Sequence, residues 1–140
     1  MNETSYSVIS DFKAVQQEFA KLSPFNIITD CKQLKIKESD YNQIACEIAD
    51  ELENGAGRPT NSDMYITRDR KASYAKIRIV DIKNKDGKSN GYRCIVLNDK
   101  INRVGYLLHI YKHSQDDNIK DKEKNELRKL TDEYVKSLGR

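Results

Sequence analysis

Apolar positions change their period twice along this chain. Near the start, Phe12, Val15, Phe19 and Leu22 recur every three or four residues, which is the spacing of one helical face. Ser10 or Asp11 can cap that helix, and Pro24 ends it by disfavouring helical geometry at Ser23. Ser5 to Ile9 reads as a short strand before it. A second helix begins at a Ser39 cap and runs to about Glu53, with Tyr41, Ile44, Ile48 and Leu52 as its stripe and Gly55 at its end. Residues 25–37 show neither period clearly, and residues 54–63 form a turn-rich loop. From Ser73 the β-branched density rises. Strands are predicted at Ser73 to Lys83, Gly91 to Leu97 and Val104 to Lys112. The connections, Asn84 to Asn90 and Asn98-Asp99-Lys100, are too short for anything but an antiparallel return. Leu127, Leu130, Tyr134 and Leu138 then mark one face of a last helix from Asp121 to about Leu138. The predicted fold is α+β: N-terminal helices packed on a small twisted antiparallel sheet, with a C-terminal helix.

Composition bounds this picture. At 140 residues, 37% hydrophobic and 34% charged, the chain reads as a single domain spanning residues 1–140. The stretch MNETSYSVISDF has neither the basic nor the apolar region of a secretory signal. The longest apolar runs, such as Cys94 to Leu97, are far too short to span a bilayer, so a cytoplasmic protein without membrane contact is expected. Cys31, Cys46 and Cys94 lack metal or disulfide spacing and read as ordinary thiols, with Cys94 in the core.

Charge is unevenly spread. Residues 58–113 hold 13 Lys/Arg against 5 Asp/Glu, whereas residues 1–57 hold 5 against 10. A basic sheet beside an acidic N-terminal half suits a surface that meets phosphates, and equally a solvated sheet face.

Three pieces of that basic region form an ordered pattern: Lys76-Ile77-Arg78, then Gly87-Lys88-Ser89-x-Gly91-Tyr92-Arg93, then Tyr106-Leu107-Leu108-x-Ile110-Tyr111-Lys112-x-Ser114. The pattern resembles the RelE/ParE superfamily of bacterial type II toxins, with the HigB-like branch nearest. The resemblance implies a RelE-like fold and a toxin held inactive by a cognate antitoxin, with a heterotetramer as one form the complex can take. It also implies metal-independent cleavage of mRNA on the ribosome, by 2′-hydroxyl attack on the adjacent phosphate. This chain departs from the family where Lys112-His113 replaces the usual Ser/Ala-Lys. Two alternatives stay open: a gyrase-directed toxin on the same fold, and a non-catalytic module that binds RNA or protein.

That chemistry needs cations on the phosphorane and groups that move protons. Arg93 is a natural phosphate clamp, and Lys76 with Arg78 leaves a strand on one face. Tyr111, His113 and His109 share a face of the third strand. His113 is the first choice for proton transfer because imidazole titrates near neutrality, and Tyr111 can stack on a base or donate its hydroxyl. Lys88, Lys112 and His109 are candidate RNA contacts, with Lys112 pointing to the opposite face. Each has a structural reading as well: a solvated Lys-x-Arg face, a core-capping Tyr111, a satisfied His109, and an Arg93 paired with the acidic second helix. Gly87-Lys88-Ser89 is not a P-loop, since the earlier glycine is missing. His109 and His113 would lie roughly 13 Å apart on a strand, too far to share a zinc ion. No metal and no cofactor are expected.

Overall fold

The computed structural model describes residues 6–54, 63–79, 91–112 and 119–138. Three strands follow the β-branched segments: β3 (Ala72–Ile79), β4 (Tyr92–Asp99) and β5 (Val104–Lys112). They pair antiparallel in sequence order. A short β2 (Asp63–Ile66) extends the sheet beyond β3, and β1 (Ser7–Val8) joins the other edge. The order is β1-β5-β4-β3-β2.

Several expectations need correction. The sheet is mixed, not antiparallel, because β1 runs parallel to β5, with Ser7 N–H donating to Arg103 C=O at 3.0 Å and Ile9 N–H to Gly105 C=O at 3.2 Å. The chain leaves β1 into helices, so no hairpin fixes its direction. The turn-rich stretch also ends earlier than expected: β2 begins at Asp63, and residues 55–62 lie outside the described residues. β4 continues through Asn98 and Asp99, which had read as a connection. The expected strand residues 80–83, and the turn after them, lie outside the described residues.

Helix α1 (Phe12–Phe19) is capped by Asp11, whose Oδ1 accepts the Ala14 N–H at 3.2 Å. The stretch without a clear period contains α2 (Ile27–Gln33), capped by Asn26 through the Thr29 N–H at 2.9 Å. A 3₁₀ turn, Glu38–Asp40, precedes α3 (Tyr41–Asn54); Ser39 lies inside that turn and does not cap the helix. The last helix, α4 (Asp121–Leu138), has the expected bounds.

The sheet carries a core on each face. On one, Ile77, Ile79, Tyr92, Cys94, Val96, Leu107 and Ile110 pack with Phe12 of α1, Ile27 and Cys31 of α2, and Ile44 and Ile48 of α3. On the other, Tyr74, Ile95, Leu97, Leu108 and Tyr111 pack with Val15 and Phe19 of α1 and Leu127 and Leu130 of α4. Helix α1 thus feeds both layers. Central β4 is buried at every position, as a strand covered on two faces must be. Burial pushes the Cys31 thiol up to about 12, and Cys94, also buried, is shifted in the same direction. Neither is poised as a nucleophile.

One polar knot ties α4 to the sheet. Asp99, 1% exposed, accepts the backbone N–H groups of Ile101 (3.1 Å) and Asn102 (2.9 Å), the Asn102 amide (2.9 Å) and the Tyr134 hydroxyl (2.6 Å). Burial, and then the hydrogen bond to Asp99, raises the Tyr134 phenol above its ordinary range. The folded chain therefore keeps a proton that the unfolded chain gives up near pH ~10, so this contribution is complete below pH ~10 and falls as pH rises beyond it. Tyr134→Phe should cost about 1.5–3 kcal/mol at neutral pH. It should also flatten the alkaline loss of stability, as read by urea unfolding at neutral and high pH.

Candidate functional site

Strand register decides which charged side chains meet. Arg78 on β3 lies opposite Arg93 on β4, and Arg93 lies opposite Tyr111 on β5. One row along, Lys76, Ile95 and His109 are aligned in the same way. Directly opposed residues have Cβ atoms about 4.5–5.5 Å apart, and diagonal neighbours about 7–8 Å. The two rows therefore bring Lys76, Arg78, Arg93, His109 and Tyr111 together on the face that carries α4.

A bulge makes this possible. Ile95 pairs with His109 but Val96 pairs with Leu107, which leaves Leu108 as the extra residue on β5. Leu107 and Leu108 consequently enter opposite cores. Without the extra residue, strict alternation from Tyr106 would send His109 and Tyr111 to the α2–α3 side.

Burial differs along the rows. Arg93 is 2% exposed and ranks with the largest fully buried side chains. Its side chain leaves the sheet on the face opposite α3, so the expected alternative pairing with that acidic helix does not fit the topology. Arg78 and Lys76 are half-buried, and the Arg78 Nε is buried without a hydrogen-bond partner among the described residues. Two guanidiniums directly opposed on neighbouring strands repel each other; Arg93 already has an interaction in the folded chain, so an anion from solution meets half-buried Arg78.

Lys112 pairs with Tyr92 and holds its Nζ 5.4 Å from that ring's centroid, on the opposite face. The structure thus separates it from the two rows. His113 and Lys88 lie outside the described residues.

Sequence reasoning missed two residues that contact His109. Asp30 of α2 accepts from His109 Nδ1 at 2.7 Å and from the Ile110 N–H at 3.3 Å, so it also caps the exposed edge of β5. Phe25 stacks on His109 with ring centroids 3.8 Å apart and planes 4° apart, and Tyr111 stacks at 5.0 Å. These residues line a cleft of about 310 Å³ that Gln33, Lys120 and Glu123 complete. The available signal was the Asn26 cap followed by Ile27, Ile28 and Cys31 at helical spacing. It would have placed Asp30 on a helix, but not against β5.

The family model for the RelE toxin of the RelE / RelB toxin–antitoxin system matches residues 69–139. The chain belongs to the RelE toxin family. That match spans β3, β4, β5 and α4, the elements that carry both rows, and RelE membership implies a cognate antitoxin as partner. No curated protein and no solved structure matches the chain. Among the described residues of this RelE-family chain, no helix is long and apolar enough to cross a membrane, and no three His, Cys, Asp or Glu side chains cluster as metal ligands.

If the opposed guanidiniums form an anion seat, Arg78→Met should relieve repulsion and leave stability unchanged or higher by up to about 1 kcal/mol. The same variant should lose most of the rise in melting temperature that inorganic phosphate gives the parent. Thermal melts with and without phosphate measure both effects.

Proposed function

We propose that this RelE-family chain, of the HigB-like branch, is a cytoplasmic, ribosome-dependent mRNA endonuclease that arrests translation until its antitoxin binds. The observation that carries this reading is the pair of adjacent rows, which gathers three cations, a phenol and an imidazole on one sheet face. The scissile phosphate sits against Arg78 and Arg93, whose planar forks hold its non-bridging oxygens as negative charge builds. Lys76 adds a third cation beside them. Tyr111, 6% exposed in the α4-side core, supports the site by stacking on His109 and does not serve as a base platform. The 2′-hydroxyl attacks phosphorus and the 5′-oxygen leaves, giving a 2′,3′-cyclic phosphate and a 5′-hydroxyl. His113 is a further group for proton transfer and Lys88 a further RNA contact, whereas Lys112, on the opposite face, is set apart from the scissile phosphate.

Arg78→Ala and Arg93→Lys should each slow cleavage about 10²–10³-fold, the scale for losing one oriented charge donor. Both should relieve growth arrest, with folding checked by circular dichroism. Primer extension on cellular mRNA after brief expression reads the outcome. Codon-positioned cuts support the endonuclease. DNA breaks beside intact message would instead assign a gyrase-directed toxin, and salt-sensitive RNA binding without cuts a non-catalytic module.

A further inference from the structure

We propose that Asp30 and His109 form the proton-accepting pair of this site, with His109 as a catalytic residue and Asp30 as its positioning residue; the inference rests on the endonuclease reading above. An ionised Asp30 presents only acceptor oxygens to His109 Nδ1 at 2.7 Å, which puts a hydrogen on Nδ1 and, in the neutral ring, leaves the lone pair on Nε2. His109 Nε2 has no hydrogen-bond partner among the described residues. The ring is fixed on its faces by Phe25 at 3.8 Å and Tyr111 at 5.0 Å. Asp30 is fixed in turn by the Ile110 N–H.

Location supports the assignment. His109 is the diagonal neighbour of Arg93 on the same face, with Cβ atoms about 7–8 Å apart. It also lines the 310 Å³ cleft beside Tyr111, a volume at the lower end for small-ligand sites, about 300–1,000 Å³. The charged groups around it are Asp30 from α2, Lys120 and Glu123 from the start of α4, and Lys76 and Arg93 across the sheet.

In the step, the Nε2 lone pair takes the 2′-hydroxyl proton and O2′ bonds to phosphorus. The bond from phosphorus to O5′ breaks with its electron pair on O5′, which takes a proton from water. The imidazolium then returns its proton to solvent. Asp30 keeps Nδ1–H in place throughout and stabilises the transient imidazolium.

The test is single-turnover cleavage of a message in the ribosomal A site, followed from about pH 5 to 9 across the imidazole range. The proteins are the full chain, His109→Gln, His109→Gly and Asp30→Asn, each checked by thermal melt. His109→Gln and Asp30→Asn should slow the cleavage step about 10²–10⁴-fold with ribosome binding unchanged. The pH profile of His109→Gln should differ in shape from the parent's, and free imidazole should restore His109→Gly. Parental rates and pH profile in His109→Gln would overturn the inference, as would slow variants that keep the profile and resist imidazole. A parent protein that leaves the message intact would instead overturn the endonuclease reading.

Discussion

A guanidinium buried in the middle strand of the sheet sets the terms for what surrounds it. Arg93 is 2% exposed on a strand whose every residue is buried, and a charge in that position costs several kcal/mol unless oriented partners meet it. Arg93 has such an interaction in the folded chain. Register places Arg78 on one side of it and Tyr111 on the other, so backbone hydrogen bonds hold these three candidate residues in one row.

The two cores explain how that register is held. Each face of β4 interlocks with a different helix layer, and a one-residue slip would exchange the faces and expose both sets of apolar residues. The Asp99–Tyr134 knot pins α4 over the far end of the sheet, while Ile119 and Lys120 bring its near end to the cleft beside Tyr111. Rigid packing at one end of the sheet thus leaves a polar hollow at the other.

The cleft also shows how an edge strand is put to use. β1 covers β5 only at Val104 and Gly105, so the outer edge further along needs other partners. Asp30 supplies one at Ile110, and with the same oxygen it engages His109. A residue that closes the edge therefore also orients an imidazole, which brings α2 to the candidate site alongside the basic strands.

The sequence by itself determined the periodic elements. The bounds of β5 and α4, the stripes of α1 and α3, the buried Cys94, and the shared faces of Lys76 with Arg78 and of His109 with Tyr111 follow from local spacing and survive folding. A two-residue strand such as β1, and the seven-residue α2, are too short to carry a period and were decided by tertiary contacts. So was the meeting of the two halves of the site. Which face of β5 His109 and Tyr111 occupy depends on one extra residue at Leu108, and the approach of Asp30 spans 79 positions along the chain. Periodicity reports what a residue does relative to its neighbours in sequence; a bulge and a long-range contact are fixed only when two complete cores compete for the same strand.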